Sequence, residues 1–312
     1  MPSGKLYANG LTMGAGGNKA PVGGKRGVVE GWSRAAVRRH TRWLYSVLTD
    51  ELTGSGWSVT LTLKDCPPSA DAWTRLRREW VDQLTASGVV IRSHWVVEWT
   101  RRKVPHLHAA VYLRDGLSHV EAYRLLVGTW LRLAAKYGAG PRGQHMAAID
   151  GPLGWLEYLS KHASRGVGHY QRQGKPAGWE RTGRLWGYTG AWPLEEPVEV
   201  NLTRQEFYRF RRLVRSWRVA DARAALVAAP QGLQGEKLRQ AARRRIVSAR
   251  GMLRHPDPDI SRVRGVSEWI PQGLGMALLL VAAGDGDAAR ADCVVAGARG
   301  VRTDVPEGAH RS

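Results

Sequence analysis

Alternating apolar and polar positions predict strands in the first half of the chain. Every second residue of Gly56–Lys64 is apolar, and the same two-residue period recurs in His94–Thr100 and in His106–Leu113. The short connection Arg101–Pro105 between the last two runs predicts a hairpin. Gln144–Ile149 is predicted to be a further short strand.

Segments with a helical period alternate with these strands. Two of them open with a capping box, in which Ser118 precedes Glu121 and Thr203 precedes Glu206 by three positions. Another opens with a capping aspartate and a proline in the first turn. Helices are therefore predicted over residues 33–48, 70–85, 150–164 and 276–283, and from Ser118 and Thr203 onward.

Charge and composition divide the chain further. Its net charge of +20 comes mainly from Arg, and such a charge attracts polyanions. Residues 201–265 hold 16 Lys and Arg against 5 Asp and Glu. We expect a disordered, Gly-rich basic N-terminus (1–30), a folded domain (31–195), a basic, mainly helical region for accessory DNA binding (196–285) and a loosely ordered tail (286–312).

Compartment signals are few. Cys66 and Cys293 are too few for a disulfide framework, which favours a reducing compartment. The N-terminus lacks the long apolar run of a secretory signal, and the apolar segment Met276–Ala283 is too short to cross a bilayer. The sequence therefore predicts a cytoplasmic protein.

The polar faces of the predicted strands carry the metal-binding chemistry. His106 and His108 point the same way from one strand, and Glu98 lies on the neighbouring strand across the hairpin. Two imidazoles and one carboxylate suit a divalent ion, with Mn²⁺ favoured over Mg²⁺ by the nitrogen ligands, and Zn²⁺ is also compatible. His94 and His145 are alternatives to Glu98 as the third ligand, although His94 lies further from the hairpin turn.

A helix stripe carries a second group of reactive residues. Tyr158, Lys161, His162 and Arg165 follow one another at helical spacing. A tyrosine hydroxyl with its pKa near 10 is a poor nucleophile, and a nearby ammonium such as that of Lys161 can offset this. His162 and Arg165 fit an ordinary solvated helix face, although Arg165 is also a candidate DNA contact.

These motifs resemble a known superfamily. VPHLHAAVYL (Val104–Leu113) resembles the histidine–hydrophobe–histidine motif of HUH endonucleases, LEYLSK (Leu156–Lys161) their Tyr-x-x-Lys helix, and SVTLTL (Ser58–Leu63) the first motif of their replication initiators. The tyrosine follows the histidine pair, unlike in conjugative relaxases. His162 stands where two-tyrosine initiators carry their second tyrosine, so the chain resembles a single-tyrosine rolling-circle initiator of a plasmid or phage.

The resemblance covers roughly residues 55–190 and implies a fold and a reaction. The fold is α+β, a ferredoxin-like antiparallel sheet of about five strands with packed helices. In the implied reaction Tyr158 attacks a phosphodiester of single-stranded origin DNA, stays linked to the 5′ phosphate and frees a 3′ hydroxyl, with Lys161 as a second catalytic residue. A later attack rejoins the strand. A host polymerase and a host helicase are the implied partners.

Several residues near the predicted site are candidate DNA contacts. Single strands are held by cations on phosphates and by aromatic rings on bases. Simple solvation accounts equally well for the basic hairpin turn, and core packing is a competing role for the tryptophan. The candidates are Arg101, Arg102, Lys103, Arg165 and Trp186.

Three other functions compete with this interpretation. A non-catalytic DNA-binding protein would bind DNA without covalent linkage. A transposase or relaxase of the same superfamily would act on transposon ends or transfer origins. A metallohydrolase would use His106, His108 and Glu98 with water as the nucleophile, so that Tyr158→Phe would leave cleavage nearly intact.

Overall fold

The computed structural model describes residues 1–14, 28–151, 154–155, 158, 162, 166–251 and 266–284. Two compact units divide the chain. The first unit spans Pro21–Glu195, and the second combines Met1–Ala20 with Glu196–Ser312. No helix among the described residues is long and apolar enough to cross a membrane.

The described strands and helices bear out an α+β fold. The strands are β1 (Ser3–Tyr7), β2 (Gly10–Gly14), β3 (Ser55–Leu61), β4 (Val90–Trp99), β5 (Pro105–Leu113), β6 (His145–Ile149), β7 (Trp186–Gly190), β8 (Val198–Asn201) and β9 (Val266–Trp269). The α-helices with described bounds are α1 (Arg34–Ser46), α2 (Ala70–Ala86), α3 (His119–Tyr123), α4 (Thr129–Leu133), α5 (Arg204–Ala228), α6 (Gly232–Gly251) and α7 (Gln272–Ala283).

A five-stranded antiparallel sheet forms the centre of the first unit. Its order is β6-β3-β5-β4-β7, so the two longest strands, β4 and β5, lie inside it. The predicted hairpin is confirmed, with Glu98 opposite His106 and Thr60 opposite His108 in the register. Strand β4 begins at Val90, four residues before its predicted start.

One face of this sheet packs on α2 and on the helices that follow Ser118. Trp73, Trp80 and Trp130 are fully buried in this layer, and the indole of Trp80 donates a hydrogen bond to the Leu126 carbonyl. The Ser118–Glu121 capping box is present as predicted. Because the apolar positions of each strand face this layer, their polar neighbours gather on the opposite face.

The second unit holds a four-stranded antiparallel sheet of order β8-β1-β2-β9. The predicted disorder of residues 1–30 is wrong for Ser3–Gly14, which forms two of these strands. Leu6 and Leu11 are buried against the apolar side of α5, which opens with the predicted capping box at Thr203. Gly4 allows the two strands to approach, since a Cβ there would lie 2.2 Å from the Thr12 oxygen.

The apolar segment near the C-terminus is helical, as predicted. Helix α7 buries Leu278 and Leu279 in the core of the second unit. Its other side is more exposed than the prediction of a buried helix implies, because Leu280 is 48% exposed. The predicted tail beyond residue 285 lies outside the described residues.

Candidate metal and nucleophile site

Glu98, His106 and His108 come together on the polar face of the β4–β5 hairpin. Their side chains are buried, and one ligand atom from each lies within 4.8 Å of the others. His108 Nε2 is 3.3 Å from Glu98 Oε2 and 3.0 Å from His106 Nε2. The structure therefore assembles the three residues whose side chains were predicted to meet.

Neighbouring side chains hold this cluster in place. Thr60 Oγ1 on β3 shares a hydrogen bond of 3.0 Å with His108 Nδ1, which leaves Nε2 directed at the cluster. Gln171 Nε2 lies 3.3 Å from His106 Nε2, and Arg172 Nε donates to Glu98 Oε1 at 3.3 Å. Partners of this kind orient metal ligands and fix their tautomers.

Arg172 is a buried cation that contacts Glu98, His162 and Trp32. Its guanidinium pairs with Glu98, donates a hydrogen bond of 3.0 Å to the His162 carbonyl, and lies 4.2 Å from the centre of the Trp32 ring. The side chains of both Arg172 and Glu98 are 0% exposed. Because isolated buried charges are costly, each charge requires the other.

The donor set fits a divalent cation. Two imidazole nitrogens and a carboxylate oxygen converge, and Glu98 turns one oxygen to Arg172 and the other to His108. The nitrogen and oxygen mixture is compatible with Mn²⁺, Mg²⁺ or Zn²⁺. Glu98, His106 and His108 could therefore hold a metal ion.

Tyr158 lies beside this cluster. It is helical and 7% exposed, and its ring stacks on Trp155 with centroids 5.4 Å apart. The His162 ring lies 4.6 Å from the Tyr158 ring and 5.2 Å from the His108 ring. His162 is 1% exposed, so its predicted place on a solvated helix face is wrong. Lys161 and Arg165 lie outside the described residues.

Two further histidines, His94 and His40, follow one another from the hydroxyl of Tyr158. His94 Nδ1 is 3.0 Å from the Tyr158 hydroxyl, and His94 Nε2 is 3.0 Å from His40 Nε2 on α1. Burial lowers the pKa of His94 to about 3. His94 is thus engaged with Tyr158, and His145 is exposed on β6. Glu98 is the carboxylate that the structure brings to the two histidines.

The hairpin turn next to the cluster presents cations to solvent. Arg101 and Arg102 are exposed. Lys103 adopts a left-handed backbone conformation with φ of 62° and donates a hydrogen bond of 2.7 Å to the Gln173 carbonyl. Tyr170 is 50% exposed, and the Arg101 guanidinium lies 5.9 Å from its ring centre.

Trp186 occupies a less open position than the hairpin cations. It is half-buried, and its ring centroid lies 5.0 Å from that of His40 and 6.2 Å from that of Trp43. Its ring therefore belongs to the aromatic cluster around His40 rather than to an open surface.

Sequence reasoning missed His40, Gln171 and Arg172. Gln171 and Arg172 lie in a single 3-10 turn, Tyr170–Arg172, in a Gly-rich stretch without periodicity, so no local pattern marks them. His40 lies among arginines on an amphipathic helix. His40 is fully buried, but only the fold shows this, so the sequence offered no signal for its role.

Curated relatives match nearly the whole chain. The chain is 43% identical over 278 residues to a candidate replication protein of Xylella fastidiosa strain 9a5c, covering 86% of this chain and 92% of that protein. It is 38% identical over 282 residues to the replication-associated protein of Pseudomonas phage Pf3, covering 88% and 95%. The chain belongs to this family of replication proteins. That membership supports a role in replication.

A second candidate replication protein, from Xylella fastidiosa strain Temecula1, is 44% identical over 261 residues. It covers 81% of this chain and 92% of its own length. No protein-family model and no solved structure matches the chain. The family assignment therefore rests on these full-length relatives.

Proposed function

We propose that this protein initiates rolling-circle replication as an HUH endonuclease that nicks and rejoins one strand of origin DNA. The observation that carries the proposal is the position of Tyr158 beside the Glu98, His106 and His108 cluster, with the His162 ring in contact range of both. A nucleophile and a metal-binding group in one site match the two requirements of phosphodiester transfer.

Glu98, His106 and His108 would hold the metal ion. A bound Mn²⁺ or Mg²⁺ would neutralise charge on the scissile phosphate and help hold it for in-line attack. Arg172 orients Glu98 through Oε1, and Thr60 keeps His108 Nε2 directed inward. Both contacts act before DNA binds, so the ligands are preorganised.

Tyr158 supplies the nucleophile of the proposed reaction. Its oxygen forms a bond to phosphorus while the bond from phosphorus to the 3′ oxygen breaks. The protein then carries the 5′ phosphate, and the free 3′ hydroxyl primes a host polymerase. Rejoining reverses the exchange, and no ATP is needed because one ester replaces another. Lys161 is proposed to assist the phenol, as in the Tyr-x-x-Lys motif.

Exposed groups around the hairpin turn suit a single strand. Arg101, Arg102 and Lys103 are proposed to contact phosphates, and half-exposed Tyr170 beside Arg101 is suited to stack on a base. Arg165 remains a proposed phosphate contact. Trp186 remains a proposed DNA contact, although its half-buried ring makes it a weaker stacking surface.

Covalent capture tests this function. Labelled single-stranded oligonucleotides that span the replicon's origin are mixed with protein and Mn²⁺ and separated in denaturant. We expect a protein–DNA band with the wild type and with the control Tyr188→Phe, and none with Tyr158→Phe or without metal. Tyr188 is a matched control because it is 45% exposed and stacks on Trp43.

The remaining outcomes separate the alternatives. Cleavage that survives Tyr158→Phe would assign the site to a water-using metallohydrolase. Tight binding without cleavage on any origin strand would assign the protein to non-catalytic DNA binding. A band with transposon ends or transfer origins, and not with replication origins, would assign it to a transposase or relaxase.

A further inference from the structure

Two buried histidines form a line behind the hydroxyl of Tyr158. The hydroxyl is 3.0 Å from His94 Nδ1, and the opposite nitrogen of the same ring is 3.0 Å from His40 Nε2. Both histidines are 0% exposed. His94 is stacked against Trp43 with ring centroids 4.6 Å apart, which restricts rotation of its imidazole.

Both imidazoles are neutral in this environment. Burial lowers the pKa of His94 to about 3. Burial first, and then electrostatic interaction with His94 and Arg172, lowers the pKa of His40 well below its usual value. A neutral imidazole has one N–H and one lone pair. When His94 donates its Nε2 proton to His40, its Nδ1 lone pair therefore faces the Tyr158 hydroxyl.

We propose that His94 is the general base for Tyr158 and that His40 is the positioning residue that selects the proton-accepting tautomer of His94. This proposal rests on the proposed function. As the bond from Tyr158 Oη to phosphorus forms, the phenol proton moves to His94 Nδ1. The electron pair of the broken bond stays on the 3′ oxygen, which takes a proton from solvent water. His94 then passes the phenol proton to the hydroxide left in solvent, because its low pKa does not hold that proton at neutral pH. In rejoining, a solvent proton reaches the departing phenolate through His94, and the 3′ hydroxyl loses its own proton to water.

The weak basicity of His94 is compatible with this role. A free phenol with a pKa of about 10 holds its proton more tightly than His94 does, so transfer does not precede attack. The preference reverses as the Oη–phosphorus bond forms, because an oxygen esterified to phosphorus does not retain a proton. Proton transfer is therefore coupled to attack, and burial keeps His94 unprotonated and available at neutral pH.

The decisive experiment combines removal of the proposed base with a change in the acidity of the nucleophile. The rate of covalent adduct formation is measured at saturating DNA and Mn²⁺ for wild type and His94→Gln, each with tyrosine or the more acidic 3,5-difluorotyrosine at position 158. With tyrosine we expect His94→Gln to slow the rate by about 10²–10⁴-fold, the usual contribution of a general base. With difluorotyrosine the loss should shrink at least ~10-fold, because a more acidic phenol needs less help.

Other results would overturn the proposal in identifiable ways. An equal loss with both nucleophiles would show that His94 has only a structural role, and no loss would exclude it. A loss that depends on nucleophile acidity in His162→Gln instead would assign the base to His162. Absence of any adduct with the wild type would remove the proposed function itself, and this proposal with it.

A second variant covers the case in which His94→Gln does not fold. His40→Gln keeps the base and removes only the partner that selects its tautomer. We expect it to slow adduct formation at least ~10-fold, with DNA and Mn²⁺ affinity within about twofold of wild type, because neither contact involves His40. An unchanged rate in folded His40→Gln would overturn its positioning role.

Discussion

Arg172 connects several parts of the site. It neutralises Glu98, holds the backbone at His162 and packs on Trp32, all from a fully buried position. A buried pair of this kind gives little net stability, but removing one partner leaves the other charge uncompensated. In the proposed holoprotein a divalent ion would supply part of that compensation at Glu98.

Replacing Arg172 should therefore make stability depend on metal. We expect Arg172→Met to lower the free energy of unfolding of the metal-free protein by about 3–5 kcal/mol. Mn²⁺ should then raise the melting temperature of this variant by more than it raises that of wild type. Thermal unfolding with and without Mn²⁺ measures both effects.

Arg77→Met provides the matched control. Arg77 is also buried, but its guanidinium lies 3.7 Å from the centre of the Trp95 ring. This contact does not involve any of the three proposed ligands. Its melting temperature should respond to Mn²⁺ as wild type does. An equal metal response of the Arg172 and Arg77 variants would contradict the assignment of Arg172 to the metal site.

The lowered pKa values of His94 and His40 lead us to expect that the free energy of unfolding changes with pH. Below pH ~6.5 the unfolded chain binds a proton at each histidine, while the folded protein does not, so acidification favours unfolding. The free energy of unfolding should fall by about 1.4 kcal/mol per pH unit for each. For His94 this loss ends near pH 3, where the folded state also binds the proton. Above ~6.5 neither state is charged and the contribution vanishes.

Urea unfolding between pH 7.5 and 5.0 measures this linkage. The wild type should lose stability more steeply than His94→Gln, and the difference in slope should approach the value for one histidine. Parallel curves for the two proteins would show that His94 titrates similarly in the folded and unfolded states.

The sequence predicts some of these residues and not others for a physical reason. Glu98, His106 and His108 lie on adjacent strands joined by a short turn, so a two-residue period places them on one face. His40 and Arg172 reach the same site from 54 and 74 positions away from their partners His94 and Glu98. Contacts over such separations depend on the tertiary fold, which local periodicity does not specify.

At the scale of elements, the β4–β5 hairpin turn combines strain with charge. Lys103 occupies a left-handed conformation that non-glycine residues adopt at a cost of about 1–2 kcal/mol. Its ammonium is tied to the Gln173 carbonyl, next to the residues that contact Glu98 and His106. The proposed phosphate contact of Lys103 would give a reason for a charged residue at a position that glycine occupies without strain.

Lys103→Gly should weaken DNA binding without lowering the stability of the fold. Relief of backbone strain should offset the lost hydrogen bond, so we expect the melting temperature to stay within a few degrees of wild type. Affinity for single-stranded DNA should fall, and the slope of log affinity against log salt should become less negative by about 0.7 for one lost phosphate contact. Fluorescence anisotropy across a salt series gives both quantities.

Lys136→Gln controls for the loss of one charge. Lys136 is exposed on the same unit and outside the hairpin turn. Its substitution should leave the salt slope unchanged. If both variants reduce the slope equally, Lys103 contributes only to the general field of the protein and makes no phosphate contact of its own.

The two N-terminal strands, β1 and β2, could not be predicted from local sequence patterns. Glycines in residues 1–14 suggested disorder, yet β1 pairs with β8 and β2 with β9, which follow roughly 195 and 255 residues later in the chain. Leu6 and Leu11 gain their burial from that pairing and from the packing of α5 and α7. The capping boxes at Ser118 and Thr203 were predictable because all their interactions are local.

At the scale of the whole molecule, the second unit carries a basic region of its own, which contains none of the proposed nuclease residues. The proposed nuclease residues lie in the first unit, and residues 201–265 carry an excess of 11 positive charges in the second. On α6, Arg243, Arg244 and Arg250 are exposed. We therefore expect the second unit to hold duplex DNA through phosphates while the first unit cleaves a single strand.

Removing two of these charges tests that division. We expect Arg244→Gln combined with Arg250→Gln to weaken binding to duplex origin DNA and to make its salt slope less negative by up to about 1.8, for two phosphate contacts. The rate of adduct formation on a short single-stranded oligonucleotide should not change, because that substrate offers no duplex to grip. Anisotropy on duplex DNA and covalent capture on the oligonucleotide measure the two activities separately. An equal loss of both activities would show that α6 serves the nicking reaction itself and would contradict a separate duplex-binding unit.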